Sequence, residues 1–262
     1  MPDPDVDTAI SFDDPVALAA TVSTLDRPVL VGFDVDGVLA PIVAHADDAA
    51  LLPGVLDAIA DLAARTPVAV VSGRRLDDLL GFGFDHPVAV FGTHGLERHG
   101  VEPLELTASE RARYDRLHTI AHEAATRAGA GAWVETKRAG VVLHVREATS
   151  SEAAARASEQ ARRRATDVTG AHVKPGKAVL ELLARETSKA TAMTTLRTEL
   201  GAASIVFVGD DHTDEEVFAS MRPGDLGVRV GPGTTAAQRR LAGPDDVLTL
   251  IRTLTNSAPL VD

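Results

Sequence analysis

Short apolar runs alternate along this chain with segments whose apolar residues recur every three or four positions. Pro28-Val29-Leu30-Val31-Gly32-Phe33 is a continuous apolar run bounded by turn residues, which predicts a strand buried on both faces. Pro53 then stands near a helix start, and Val55, Leu56, Ile59 and Leu62 follow at helical spacing. Pro67 to Val71 predicts a second buried strand, 74–80 a helix, and Val88 to Phe91 a third strand. The same alternation returns late in the chain. It predicts a helix over 188–200 ending at Gly201, a strand from Ser204 to Val208 and a helix over 214–221. A strand from Leu226 to Val230 and a helix carrying Val247, Leu248, Ile251 and Leu254 follow. Strands alternating with helices predict an α/β fold built on a doubly wound parallel sheet.

Between these two blocks the pattern changes. Thr107 with Glu110 reads as a capping box that opens a long helix. Trp133 to Lys137 and Val141 to Arg146 read as strands joined at Ala139-Gly140, 151–167 as a helix rich in Ala and Arg, and Ala178 to Leu183 as another strand. That order predicts a small separate sheet covered by helices. The expected organisation is therefore an acidic lead-in over 1–24 with one short helix at 14–22, a discontinuous core over 25–100 and 184–262, and an inserted α+β cap domain over 101–183.

Ligands of an open parallel sheet collect at the carboxyl ends of its strands. Here those ends read Asp34-Val35-Asp36-Gly37, Ser72-Gly73-Arg74, Gly92-Thr93-His94-Gly95 and Gly209-Asp210-Asp211-His212-Thr213-Asp214. Asp34, Asp36, Asp210, Asp211 and Asp214 thus converge on one edge from two strands. Such a group repels itself unless a cation holds it. With no cysteine in the chain the donors are oxygens, which selects a hard cation, most simply Mg²⁺. A carboxylate beside a metal can attack phosphorus, and a second can serve as general acid and then general base. Ser72 and Gly73, before a helix N-terminus, can hold phosphate oxygens, and Lys189 can balance their charge. Each motif has a plainer reading when taken alone. Asp-x-Asp-Gly also makes turns and calcium loops, Ser-Gly-Arg makes turns, and Thr213 with Glu216 is a capping box. Four such motifs in order, each on a strand end, favour catalysis.

Composition narrows the partners. With 26 basic against 38 acidic residues the net charge is -12, so the surface repels nucleic acid and anionic membranes, and a phosphate site must carry its own cations. Apolar residues are 45% of the chain but aromatics only 3%, so the core must be aliphatic. No apolar run reaches membrane-span length, and the acidic start does not resemble a leader. The expectation is a cytoplasmic monomer whose partner is a small molecule. Arg162, Arg163 and Arg164 read as a solvated helix face, and Trp133 and His144 as packed in the cap.

The strand-end motifs resemble, in order, those of the haloacid dehalogenase superfamily: Phe33 to Leu39, Val71 to Arg74, Lys189, and Gly209 to Glu215. The resemblance implies Asp34 as nucleophile and Asp36 as acid/base. It implies Mg²⁺ on the Asp34 side chain, the Asp36 backbone carbonyl and Asp210, with Asp211 nearby and Asp214 positioning Lys189 or a metal-bound water. Asp36 implies phosphatase or phosphomutase chemistry. More narrowly, Asp36 to Ile42 and Gly92 to Glu97 are similar to the trehalose-6-phosphate phosphatase family. So are Val134 to Lys137, Leu143 to Arg146 and Gly176-Lys177-Ala178-Val179-Leu180-Glu181 of the insertion. This implies a phosphoric monoester hydrolase acting on trehalose 6-phosphate, with Arg74, His94, Glu135, Lys137, Arg146 and Glu181 on the substrate. The bland alternative for Glu135 and Lys137 is an exposed cross-strand ion pair. Rival functions are another sugar phosphatase of the same superfamily, on sucrose phosphate, a glucosylglycerate phosphate or a phosphohexose, and a catalytically silent sugar-phosphate sensor.

Overall fold

The computed structural model describes residues 10–43, 48–102, 105–176, 178–186, 188–257 and 260–261. Residues 1–9 of the lead-in and Lys177 lie outside the described residues. In chain order the strands are β1 (Val29–Phe33), β2 (Val68–Val71), β3 (Ala89–Gly92), β4 (Glu97–Arg98), β5 (Trp133–Lys137), β6 (Gly140–His144), β7 (His172–Gly176), β8 (Val179–Leu183), β9 (Ser204–Gly209), β10 (Leu226–Val230) and β11 (Arg239–Leu241). The helices are α1 (Pro15–Val22), α2 (Val55–Ala63), α3 (Leu76–Gly81), α4 (Ala108–Ala128), α5 (Ser151–Thr166), α6 (Lys189–Leu200), α7 (His212–Ser220) and α8 (Pro244–Asn256). The chain divides into two units, one made of Met1–Val101 with Ser188–Asp262 and the other of Glu102–Thr187.

In the first unit one sheet runs β11-β10-β9-β1-β2-β3-β4, parallel throughout except for the antiparallel pair β3 and β4. The expected doubly wound parallel sheet is what the chain forms. Side chains alternate across it as a pleat requires. Val29, Val31, Phe33, Val68, Val70, Val206 and Val208 join a core with α1, α2 and α8 on one face. Leu30, Ala69, Val71, Ile205 and Phe207 join a second core with α6 and α7 on the other. Both faces are covered, which is why these strands are apolar at every position. Each buried Val or Leu contributes about 1.5–3 kcal/mol. From β1 the chain winds one way to β2 and β3, and from β9 the other way to β10 and β11. The order therefore reverses between β1 and β9, the place where such sheets bind ligands.

The second unit holds an antiparallel sheet in the order β5-β6-β8-β7. Val141, Leu143, Leu180 and Leu182 face α4 and α5, where Leu117, Ile120, Ala121, Ala154, Ala157 and Ala161 complete an aliphatic core. Thr107 and Glu110 form the expected capping box at the start of α4. Residues 184–186, expected in the core, fall in this unit: Ala184 N–H donates to the Ala139 carbonyl, and Arg185 pairs with Glu110 at 2.6 Å.

Several expectations need correction. β7 was not expected; its Pro175 and Gly176 disguise it, and both are tolerated because it is an edge strand. β6 stops at His144 and leaves Arg146 exposed beyond it. Trp133 is not cap core: it is 50% exposed and stacks flat on His144, ring centroids 3.9 Å apart. No helix among the described residues is long and apolar enough to cross a membrane.

Candidate active site

Asp34 directly follows β1 and Asp210 directly follows β9, so the chain reversal sets two carboxylates side by side. The Asp34 N–H donates to the Val208 carbonyl, which fixes its backbone as a continuation of the β1–β9 ladder. One Asp34 oxygen accepts from the Val35 N–H at 2.7 Å, and the other lies 2.7 Å from Lys189 Nζ. Lys189 also reaches Asp214 Oδ1 at 2.8 Å. It opens α6, whose N-cap Ser188 accepts from the Thr191 N–H. All three charged groups are buried.

Asp214 in turn organises the loop after β9. Its second oxygen accepts from the Asp210 N–H at 2.8 Å and the Asp211 N–H at 3.1 Å. Asp211 is the N-cap of α7, accepting from the Thr213 N–H and hydroxyl and the Asp214 N–H. The capping box is thus Asp211 with Asp214, not Thr213 with Glu216. An ionised carboxylate at the cap is a stronger acceptor than a hydroxyl, and it starts the helix at His212.

Asp34, Asp210, Asp211 and Asp214 offer oxygens that all lie within 4.8 Å of one another. Burial, then repulsion from Asp214 and Asp211, pushes Asp210 up to about 7. Burial likewise raises Asp34 well above the carboxylate range, against the pull of Lys189. Burial opposes the charge on Asp211 too, but Lys189 and the Thr213 hydroxyl outweigh it and hold Asp211 at about 2. For Lys189 burial works against the charge, yet Asp214 and Asp34 prevail and raise it.

A carboxyl raised in the folded state stabilises the fold when protonated. Its contribution is complete below its unfolded value of about 3.9 and is lost as pH rises through the folded value. With divalent cations chelated, the melting temperature is therefore expected to fall between about pH 4 and 7 as Asp210 ionises. A divalent cation should restore it at the upper end, and Asp210→Asn should flatten the slope. A melting temperature indifferent to pH and cation would remove Asp210 from the repelling group.

Gly37 explains how the loops after β1 and β9 fit together. Its φ is +76°, and a Cβ there would stand 2.2 Å from Asp210 Oδ2. Gly37→Ala must displace that carboxylate. Displacements of about 1 Å cost on the order of 10²-fold in rate, so steady-state phosphate release should fall by that order while circular dichroism is retained. An unimpaired Gly37→Ala would show that Asp210 need not stand where it does.

Asp36 is not one of the four clustered carboxylates. Its oxygens accept from Arg74 Nε and a terminal Arg74 nitrogen, both at 2.8 Å, and the guanidinium lies over Phe82. Arg74, expected on substrate, forks onto Asp36. Ser72 is buried, and its Oγ accepts from the Arg74 N–H at 3.3 Å. Beside it, a 3-10 turn over Thr93–Gly95 puts Thr93 and His94 at positive φ. The Thr93 N–H donates to the Arg74 carbonyl and the His94 N–H to the Ser72 carbonyl. The His94 imidazole lies against Gly73, where a Cβ would come within 2.6 Å of it.

Glu97 has a part that sequence reasoning did not give it. Its carboxylate accepts from the Thr93 hydroxyl at 2.8 Å and from the Leu76 N–H at the start of α3, tying the loops after β2 and β3 together. Its spacing of four from Thr93 was the one available hint.

In the inserted unit, Glu135, Lys137 and Glu181 lie on the sheet face away from α4 and α5. Lys137 Nζ meets Glu181 Oε1 at 3.0 Å across the sheet, and Glu135 meets His144 Nε2 at 3.0 Å. Lys174 on β7 stands opposite Glu181 in register. Arg162 and Arg163 pair with Glu159 on an exposed face, as expected of a solvated helix.

A family model described as trehalose-phosphatase matches residues 32–243 of this chain. The trehalose-6-phosphate phosphatase of Escherichia coli is 32% identical over 236 residues, which cover 86% of this chain and 86% of that protein. The trehalose-phosphate phosphatase of Mycobacterium tuberculosis is 33% identical over 255 residues, 87% of this chain but 61% of that longer protein. Among solved structures, the C-terminal domain of the Candida albicans trehalose-6-phosphate phosphatase superposes with a TM-score of 0.75 at 20% identity, over 94% of this chain and 97% of that one. An Aspergillus fumigatus trehalose-6-phosphate phosphatase gives 0.67 at 26% identity, over 94% and 99%.

Proposed function

The chain belongs to the trehalose-phosphatase family of phosphoric monoester hydrolases, and from that premise we propose that it hydrolyses trehalose 6-phosphate to trehalose and phosphate through an aspartyl phosphate on Asp34. The observation that carries this reading is the buried Asp34–Lys189–Asp214 array at the chain reversal, 2.7 and 2.8 Å from one ammonium. A buried ammonium between two carboxylates favours the ionised form of the attacking group against its burial and offsets negative charge where phosphate arrives.

The residues fit a hard divalent cation. Four carboxylates crowd within 4.8 Å, and burial, with repulsion from Asp214 and Asp211, disfavours the charge on Asp210, which a bound cation would offset. Asp34, Asp210 and the Asp36 backbone carbonyl would hold Mg²⁺, which when bound supplies charge neutralisation to the phosphoryl oxygens. Ser72 Oγ and the Gly73 N–H hold phosphate oxygens. Asp34 forms a bond to phosphorus as the bond from phosphorus to the sugar oxygen breaks, and Asp36 gives that oxygen its proton. Asp36 then takes a proton from water, whose oxygen attacks the aspartyl phosphate and frees Asp34. The Arg74 fork orients Asp36 for both transfers.

Sugar recognition we assign to Glu135, Lys137 and Glu181. These are fixed charged groups on the sheet face that α4 and α5 do not cover, and a hydroxyl-rich ligand needs such donors and acceptors. The test is phosphate release from trehalose 6-phosphate, sucrose 6-phosphate, glucose 6-phosphate and an aryl phosphate, with and without EDTA. Preference for trehalose 6-phosphate, abolished by EDTA, is expected. Activity only on the other esters would overturn the substrate, and release unaffected by EDTA would overturn the metal. Lys137→Ala should raise KM for the disaccharide ester about 10–100-fold, the loss of one charged hydrogen bond, and leave aryl phosphate hydrolysis unchanged. An equal loss on both substrates would refute the sugar-binding role.

A further inference from the structure

The middle of α4 carries a second group of metal-ligating side chains, unrelated to the carboxylates. His118 and His122 are one helical turn apart, so their imidazoles share a face. Their Nε2 atoms lie 3.1 Å apart and their ring centroids 4.3 Å apart. The rings are therefore already converged, Nε2 toward Nε2. The Tyr114 ring, a turn earlier, lies beside His118, ring centroids 6.1 Å apart. The helix phase is fixed from the opposite side, because Leu117, Ile120, Ala121 and Ala124 are buried in the aliphatic core. The capping box fixes its start.

We propose that His118 and His122 form a chelating site for a borderline transition-metal cation of the Cu²⁺, Ni²⁺ or Zn²⁺ class. Imidazole nitrogens bind such ions at about 2.0–2.1 Å. Two nitrogens 3.1 Å apart then subtend about 95–100° at the metal. That angle suits adjacent positions in square-planar or octahedral geometry and lies near the tetrahedral value. The donor type separates this site from the oxygen cluster, since imidazole suits Cu, Ni and Zn while carboxylates suit Mg. Among the described residues no third histidine or carboxylate gathers with the pair, so the remaining positions go to water or to an added ligand. Both rings reach solvent, so an ion can enter without unfolding the helix.

The experiment uses the full chain without a histidine tag, in excess Mg²⁺ so that the carboxylate cluster is occupied. CuCl₂ is titrated in by calorimetry, with paramagnetic resonance to count bound nitrogens, into the parent, His118→Gln and His122→Gln. The parent should show a saturable site with two imidazole nitrogens on the copper, and each variant should lose it while keeping its phosphate release. Copper should also raise the melting temperature of the parent and of neither variant, because it binds the folded helix alone. Identical isotherms for parent and variants would overturn the proposal. Loss in only one variant would overturn the chelate, leaving a single histidine ligand.

Discussion

Asp34→Asn is expected to release phosphate from trehalose 6-phosphate at a rate lower by about 10⁴-fold or more, the order seen when a covalent nucleophile is removed. Asparagine has almost the same shape and can still accept from the Val35 N–H, so the backbone bond to Val208 and the β1–β9 ladder should persist. What disappears is the carboxylate oxygen that faces Lys189 at 2.7 Å. The fold should survive because the same substitution removes one of four mutually repelling carboxylates. Initial rates would be measured beside circular dichroism and a thermal melt. A folded Asp34→Asn protein with near-parental rates would exclude Asp34 as nucleophile.

Lys189→Met is expected to strike stability as well as rate. Lys189 is 2% exposed and contacts two carboxylates that are buried with it. Methionine fills similar space but leaves Asp34 and Asp214 without a cation. Removing one partner of a buried ion pair costs about 3–5 kcal/mol. Urea unfolding at neutral pH should show that loss. The double variant Lys189→Met with Asp214→Asn should recover part of it, because one stranded charge is gone. A single variant within about 1 kcal/mol of the parent would mean that the array is not held by its charges.

Much of the fold could be read from periodicity, because strands buried on both faces leave uninterrupted apolar runs. β1, β2 and the Ile205 to Val208 stretch of β9 are legible for that reason. The elements that escaped lack that signature. β11 contains Arg239 and Arg240, and β7 ends in Pro175-Gly176; both are edge strands, where water can satisfy what burial would not allow. At the site, the strand-end motifs carried Asp34, Asp210 and Asp214 to one place, since the chain reversal follows from strand order. Lys189 arrives from a helix 155 positions beyond Asp34, a juxtaposition that spacing alone does not announce. The Arg74–Asp36 fork was not legible either. It depends on two loops meeting at one distance, and a guanidinium after a strand looks the same whether it faces a substrate or a neighbouring carboxylate. Trp133 was misread because burial is the usual fate of a lone indole, and its β5 neighbours gave no sign that one sheet face lacks a helix.

The division of the core has a consequence for how the protein is made. β1 lies hydrogen-bonded between β2 and β9, but β9 starts at Ser204, far downstream. A chain emerging from the ribosome exposes one bare edge of β1 until those later residues appear. Pairings across so long a stretch are slow to form. The inserted unit, by contrast, is one continuous segment and can settle while synthesis continues. Asp210, Asp211 and Asp214 are translated after all of it, so the nascent chain meets the self-repulsion of the acidic group only as the last third of the molecule docks.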